Sequence, residues 1–243
     1  MNALDLTGRT ALVTGSSDGI GAGIADALME KGARVIRHGL ETRPPRGVAE
    51  ADWIDGDLAQ PEGGAVLAKR VVARASQIDI LVSAVAIQTR ASFAELTSQD
   101  VIQTMTVNLA AGFALMQALI PPMANRGWGR VVTIGSVQQR RPRSDMPIYA
   151  ATKAGQAHLA ANLARQVAAR GVTINNVAPG VVLTGRNAEV LAESAYREDV
   201  LAEIPAGRFG AVEEVGALVA YLCSPAAAYI TGQDIAIDGG MGA

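Results

Sequence analysis

Short apolar runs recur along the chain, and between them lie stretches whose apolar residues return every three or four positions. The first run, Thr10-Ala11-Leu12-Val13, is followed by Ile20, Ile24, Ala27 and Leu28 at helical spacing, with Gly32 placed to close the helix. Consecutive apolar positions suit a strand buried on both faces, whereas the longer period suits an amphipathic helix. The same reading predicts further strands at 34–38, 52–55, 78–82, 130–134, 172–177 and 234–237. It predicts helices over 64–76, from Thr97 to near Pro121-Pro122, from the region of Tyr149 to Arg170 with a stop at Gly171, and over 212–222. Thr97 and Asp100 have the spacing of a capping box, and a proline pair suits a helix end. Only about a dozen residues, Pro44 and Pro45 among them, separate the second and third strands. That is near the minimum for a parallel crossover, so no full helix is expected there. Residues 181–207 are polar and weakly periodic, which predicts a lid beside a pocket.

Strands alternating with helices predict an α/β fold, a parallel sheet of about seven strands covered by helices on both faces. No repeat, low-complexity segment or linker divides residues 1–243, so a single domain is expected. A hydrophobic fraction of 49% against 18% charged argues for a well-buried globule rather than disorder. The net charge of −2 offers no basic field to nucleic acid or anionic lipid. The one cysteine, Cys223, cannot form an internal disulfide, and no histidine–cysteine cluster has the spacing of a metal site. There is no signal-peptide pattern at the start and no apolar run approaching the length of a membrane span. The expectation is a cytoplasmic protein without metal, nucleic-acid partner or membrane.

Candidate chemistry enters at the first turn. Gly15, Gly19 and Gly21 stand between a buried strand and a helix. Glycine there permits positive φ and lets a pyrophosphate reach the N–H groups at the helix start. The spacing, G-x-x-x-G-x-G, differs from the G-x-G-x-x-G of the common dinucleotide fingerprint. Further on, Tyr149 and Lys153 are four apart in an Ala-rich helical run and so share a face. A phenol with an ordinary pKa of about 10 is a poor base at neutral pH, and a neighbouring ammonium favours the phenolate. Bringing it to about 7 requires roughly 4 kcal/mol of differential stabilisation. Ser136 closes a buried strand at the carboxyl edge of the sheet, where ligands bind in open α/β folds.

Taken together, these pieces resemble the short-chain dehydrogenase/reductase family over nearly the whole chain. The matching residues are Thr14-Gly15-x-x-x-Gly19-Ile20-Gly21, Asp57-Leu58, Asn108, Ser136, Tyr149-x-x-x-Lys153, Pro179-Gly180, and Ile230-Thr231-Gly232 with Asp238-Gly239-Gly240. The resemblance implies a Rossmann-type doubly wound sheet, a nicotinamide dinucleotide, and a homotetramer or homodimer paired through the small residues Ala150, Ala151, Ala154, Ala157, Ala160 and Ala161. It implies that Tyr149 exchanges a proton with the substrate, that Ser136 hydrogen-bonds the substrate oxygen, and that Lys153 lowers the Tyr149 pKa and holds the nicotinamide ribose. Asn108 is implied to orient a water on a proton path from Lys153. Besides Tyr149 and Lys153, the dinucleotide is expected on Gly15, Ser17, Asp18, Gly19, Ile20 and Gly21, then on Gly39, Leu40, Asp57 and Leu58. Its remaining expected contacts are Ser83, Ala84, Val85, Pro179, Gly180, Val182 and Thr184. One segment departs from the family: Asn-Asn-Ala-Gly appears here as Ser83-Ala84-Val85-Ala86.

The second strand ends on Gly39-Leu40 without the acid that usually binds the ribose of NAD, although this pair resembles NAD-dependent relatives. Asp18 stands where NADP-using relatives often carry Arg or Lys. A carboxylate about 5 Å from a 2′-phosphate would oppose it by about 3 kcal/mol at an effective dielectric of about 20. Arg37 and Arg43 act in the other direction. NAD is therefore predicted, with NADP as the alternative. Between Ser136 and Tyr149 the chain carries Gln138, Arg140, Arg141 and Arg143, and Gln88 follows the fourth strand near the same mouth. Guanidinium and amide groups suit hydroxyl-rich or carboxylate-bearing ligands. The predicted substrate is the secondary alcohol or ketone of a polar small molecule (a sugar, polyol, sugar acid or hydroxy acid), with Gln88, Ser136, Gln138, Arg140 and Arg143 as contacts. Two alternatives stand beside it. One is an NADPH-dependent reductase of 3-oxoacyl thioesters, its arginines meeting an acidic carrier. The other is a dinucleotide-binding sensor or scaffold without turnover. His38 and His158 are not expected to take part.

Overall fold

The computed structural model describes residues 3–188 and 190–243; Glu189, inside the predicted lid, lies outside the described residues. Among the described residues seven strands form one sheet: β1 (Thr10–Thr14), β2 (Arg34–Gly39), β3 (Trp53–Asp55), β4 (Ile80–Ser83), β5 (Gly129–Ile134), β6 (Val172–Pro179) and β7 (Asp234–Ile237). Their order is β3-β2-β1-β4-β5-β6-β7, and every pairing is parallel. The helices are α1 (Gly19–Glu30), α2 (Gly63–Arg74), α3 (Ser98–Met105), α4 (Ala111–Asn125), α5 (Pro147–Val167), α6 (Gly185–Ala188), α7 (Ser194–Ala202) and α8 (Val212–Cys223).

Alternate residues of each strand enter two separate cores. Leu12, Ile36, Leu81, Val131 and Ile174 pack with residues of α2, α4 and α5. Ala11, Val13, Val35, Ile80, Val82 and Val132 pack with residues of α1 and α8. The two-residue period of a strand sends neighbours to opposite faces, and burial of both faces is why these strands read as unbroken apolar runs. Each fully buried Leu or Ile contributes roughly 1.5–3 kcal/mol. The chain builds outward from β1 in one direction and from β4 in the other, so the order reverses between them, where open α/β sheets bind ligands.

Several predicted details recur in the structure. Only a 3-10 turn, Glu50–Asp52, lies between β2 and β3. Thr97 Oγ1 accepts from Asp100 N–H at 3.1 Å and Asp100 Oδ2 accepts from Thr97 N–H at 3.0 Å, which completes the capping box. Gly32 and Gly171 adopt positive φ, 92° and 73°, at the ends of α1 and of the turn that extends α5.

Others differ, each for a physical reason. β4 begins at Ile80 rather than Ile78: Asp79 still bonds its backbone to Thr10 and Arg130, and its buried carboxylate adds bonds from Thr10 N–H at 3.0 Å and from Gln77 Nε2 at 2.6 Å that draw the preceding residues out of the strand. α4 runs through Pro121 and Pro122 to Asn125. The carbonyls that lose their donors there belong to Gln117 and Ala118, which are exposed, so the helix continues without burying an unbonded carbonyl in the core. A π turn, Thr106–Ala110, joins α3 to α4 and carries Asn108. Residues 98–125 thus make a rod long and apolar enough to cross a membrane, longer than the sequence suggested, but 56% of its most apolar window is buried inside the protein, which marks a core helix. The 181–207 segment is also more regular than its pattern implied. It forms α6 and α7, and Leu191, Val200 and Ile204 pack with Val137, Phe209 and Met241 in a third small core.

Candidate active site

At the carboxyl ends of the strands, astride the β1–β4 reversal, lies a cleft of about 820 Å³. That is toward the upper end for small-molecule sites. Its walls include Gly15, Ser17, Asp18, Gly19, Ile20 and Gly21 from the first turn, Gly39 and Leu40 at the end of β2, and Asp57 and Leu58 after β3. Ala84, Val85 and Gln88 follow β4, while Pro179 ends β6 and Gly180, Val182 and Thr184 follow it. Ser136, Gln138, Arg143, Tyr149 and Lys153 complete the set. Three predicted residues do not line it: Ser83, Asn108 and Arg140.

The first turn is shaped to receive an anion. Gly15 and Gly19 have φ of 65° and 60°, and a β-carbon on Gly21 would fall 2.0 Å from the Gly15 carbonyl oxygen. Asp18 is the N-cap of α1 but makes no side-chain cap bond, so the first N–H groups of the helix remain open to a ligand. These features fit a dinucleotide pyrophosphate.

Sequence reasoning set His38 aside, yet its buried imidazole joins two of the cleft loops. Nε2 donates to the Gly56 carbonyl at 3.0 Å, which leaves Nδ1 to accept from Gly15 N–H at 3.4 Å. Burial pushes the ring down to about 4. The unfolded chain takes up its proton near 6.5, so stability falls as pH drops from about 6.5 to about 4 and the His38 effect levels off below that. The gap corresponds to up to about 3 kcal/mol. His38→Asn is expected to flatten this dependence, compared by urea unfolding at pH 7 and pH 4.5. Equal slopes in both proteins would mean that the ring is not held neutral.

Glu41 was missed because it stands two residues beyond the usual position of the acid. Its carboxylate folds back over the end of β2, since a β-carbon on Gly39 would lie 2.5 Å from Glu41 Oε2. Trp53 Nε1 donates to the Glu41 carbonyl at 2.9 Å, and Glu41 lines the cleft. Arg37 is paired with Asp26 of α1, and neither Arg37 nor Arg43 lines the cleft. At the same end, hydrogen bonds from Gln60 and from Ala59 N–H hold the Asp57 carboxyl below the usual range.

Lys153 is 1% exposed; its ammonium donates to the Ile134 carbonyl at 2.6 Å and to Gln156 Oε1 at 3.2 Å, and stands 5.7 Å from the centre of the Tyr149 ring. Gln156, itself buried, was not singled out from the sequence, although its spacing from Lys153 places it on the same helix face. Ser136 caps the turn after β5, its Oγ accepting from Gln138 N–H at 3.2 Å. Asn108 sits behind the cleft. Its side chain accepts from Ile87 N–H at 2.8 Å and donates to the Ile87 carbonyl at 3.0 Å and to Thr152 Oγ1 at 3.2 Å. Thr152 in turn donates to the Tyr149 carbonyl, so Asn108 ties the segment after β4 to the helix turn that bears Tyr149. Ala84 N–H donates to Thr14 Oγ1 at 3.1 Å. The altered Ser83–Ala86 stretch is therefore anchored from both sides, with Ser83 buried at the end of β4.

The arginines of the rim divide. Arg140 pairs with Asp234 at 2.7 Å, as does Gln139, which takes Arg140 out of the predicted substrate set. Arg141 donates to the Met241 carbonyl and pairs with Glu203 at 3.5 Å. Arg143 remains in the wall, joined by Arg90, which the sequence reading passed over.

A family model described as Enoyl-(Acyl carrier protein) reductase matches residues 15–242. The chain is 36% identical to a 3-oxoacyl-[acyl-carrier-protein] reductase of Vibrio cholerae, over 98% of this chain and 99% of that one. Among solved structures it resembles a 3-oxoacyl (acyl-carrier-protein) reductase of Agrobacterium tumefaciens with NADP bound, with TM-score 0.93 and 40% identity over 98% of this chain and 96% of that one. It also resembles a gluconate 5-dehydrogenase of Burkholderia cenocepacia in complex with NADP and tartrate, with TM-score 0.90 and 32% identity over 99% and 97% of the two chains. With the glycine turn, the Ser136, Tyr149 and Lys153 group and the seven-stranded parallel sheet in one frame, the chain belongs to the short-chain dehydrogenase/reductase family of NAD(P)-dependent oxidoreductases.

Proposed function

We propose that the protein interconverts a secondary alcohol and a ketone in a polar small molecule, with NAD as the preferred dinucleotide. The observation that carries this is Lys153, buried beside Tyr149 in the cleft that the glycine turn opens. In oxidation, Tyr149 Oη takes the hydroxyl proton while Ser136 Oγ holds the same oxygen in line. Lys153, its ammonium held by oxygen acceptors on Ile134 and Gln156, favours the phenolate form that accepts the proton. The nicotinamide, when bound, supplies the hydride acceptor. Asn108 is assigned to holding the Tyr149 helix turn in register and to the proton path beyond Lys153. Residues 181–207 are assigned as the lid, since Thr184, Asn187, Leu191 and Tyr196 among them face the cleft. A homodimer or homotetramer would cover Ile102, Met105 and Phe113, which are exposed on α3 and α4.

Two carboxylates support NAD. Both line the cleft: Glu41 lies over the end of β2 at the adenosine end, where a 2′-phosphate would meet it, the Asp18 carboxylate is turned toward Gly185 beside the first turn, and Arg37 is held by Asp26. Solved relatives hold NADP, both of those described above among them, so the NAD preference rests on this chain's own residues. A panel of sugars, polyols and hydroxy acids assayed with each cofactor is expected to give a kcat/KM for NAD at least about tenfold above that for NADP. Asp18→Arg combined with Glu41→Ser is expected to reverse the order. Equal use of both cofactors, or better use of NADP, would overturn the assignment.

The names of the reductase relatives favour a second reading, reduction of a 3-oxoacyl thioester. Against it, Arg140 and Arg141 are held by Asp234 and Glu203 rather than presented to a carrier. NADPH-driven turnover of acetoacetyl thioesters exceeding that of every alcohol on the panel would establish it.

A further inference from the structure

The cleft is charged unevenly along its length. Asp18 stands at the first turn and Glu41 and Asp57 at the adenosine end, whereas the opposite mouth presents Arg90 and Arg143. Those two guanidiniums share a single carboxylate: Asp145 Oδ1 lies 3.2 Å from Arg143 Nε, and Asp145 Oδ2 lies 3.6 Å from Arg90 Nη1. Asp145 is not itself part of the cleft wall, so it acts from behind. The other acid at this mouth, Glu203, is paired with Arg141. The mouth therefore carries a surplus positive charge.

Arg143 is also fixed in direction. Asp145 occupies Nε, and among the described residues Nη1 and Nη2 make no hydrogen bond, so the end of the fork is open. A guanidinium end offers two parallel N–H groups at the spacing of carboxylate oxygens. The Arg143 backbone N–H donates to Gln138 Oε1 at 2.8 Å, and Gln138 N–H donates to Ser136 Oγ at 3.2 Å. The loop bearing the fork is thereby tied to the residue assigned to the reacting oxygen. Arg90 is held alongside because Ala91 N–H donates to the Asp145 carbonyl at 2.9 Å.

We infer that Arg143, oriented by Asp145 and seconded by Arg90, is a carboxylate-binding subsite, and that the substrate is a hydroxy acid whose carboxylate sits there while its secondary hydroxyl meets Ser136 and Tyr149. This rests on the oxidoreductase reading above and narrows it to anionic substrates. The surplus charge selects against neutral sugars and polyols of the same length, because a guanidinium desolvated by an uncharged group loses water without gaining an ion pair.

The test uses hydroxy acids of four to six carbons, each assayed beside its own primary amide, which has the same shape without the charge. The wild-type protein is expected to favour the acid by about 30-fold or more in kcat/KM, the scale of a charge-assisted hydrogen-bonded pair. Arg143→Gln is expected to reduce that ratio to below about threefold, chiefly through a raised KM for the acid. Arg90→Gln is expected to give a smaller loss, and it serves as the second variant if Arg143→Gln does not fold. Acids and amides used equally by the wild type would overturn the subsite while leaving the oxidoreductase reading intact. A ratio that survives in both variants would remove the arginines from it. No turnover of any alcohol or ketone with either cofactor would instead sink the reading on which it rests.

Discussion

Tyr149→Phe is expected to lower turnover by about 10²–10⁴-fold, the usual contribution of a positioned proton donor or acceptor, while dinucleotide affinity stays within about threefold. The substitution removes only the hydroxyl. The ring stays, and with it the packing against Lys153 at 5.7 Å from the ring centre. The hydrogen bonds from Lys153 to Ile134 and Gln156, and the link from Asn108 through Thr152, do not involve the phenol oxygen. Steady-state rates with the best alcohol on the panel, set beside a fluorescence titration with NAD, separate the two quantities. Turnover that persists would hand the proton transfer to another group, and a large loss of NAD affinity would recast Tyr149 as a binding residue.

Gly21→Ala is expected to weaken dinucleotide binding by about 100-fold and to lower the unfolding midpoint. The added methyl would stand 2.0 Å from the Gly15 oxygen, 2.7 Å from its carbonyl carbon and 3.2 Å from Ser16 Cα. All three are backbone atoms, so no side chain can turn aside to admit it, and overpacking of this kind typically costs about 1–3 kcal/mol. Relief requires the turn between β1 and α1 to open, which displaces the N–H groups that face the cleft. Gly47→Ala is the matched control. Gly47 has φ of 87° but nothing within 4 Å of a new β-carbon, so only the left-handed strain, about 1–2 kcal/mol, is expected. Isothermal titration with NAD on both variants checks the contrast. Wild-type affinity in Gly21→Ala would mean that the turn does not hold the pyrophosphate.

Much of this site was legible from one dimension because its parts are local. The glycine turn, the capping box at Thr97 and the shared face of Tyr149 and Lys153 each lie within a few residues, and local spacing determines what such groups can touch. The sheet was legible for a related reason: strands buried on both sides announce themselves as apolar runs. What stayed hidden depends on partners far along the chain. Arg140 read as a substrate contact because nothing near it hints at Asp234, which lies 94 positions away. His38 read as a strand end because Gly15 and Gly56 reach it only after folding. The prolines of α4 misled for another reason, since their effect depends on whether the orphaned carbonyls meet water, and only the fold decides that. The π turn at Thr106–Ala110 left no periodic trace at all, being a single widened turn inside an apolar rod.

The grip of Gln139 and Arg140 on Asp234, together with that of Arg141 on the Met241 carbonyl, bears on how the protein should be handled. Met241 is part of the cleft wall, and Asp238 accepts from Gly240 and Gly242 N–H, so the carboxyl tail is folded into the machinery. Leu6 N–H, by contrast, donates to the Lys31 carbonyl just ahead of β2, at the edge of the sheet away from the chemistry. Fluorophores and surface attachment belong near Leu6. A label placed within residues 238–242 would tug on the loop that carries Ser136.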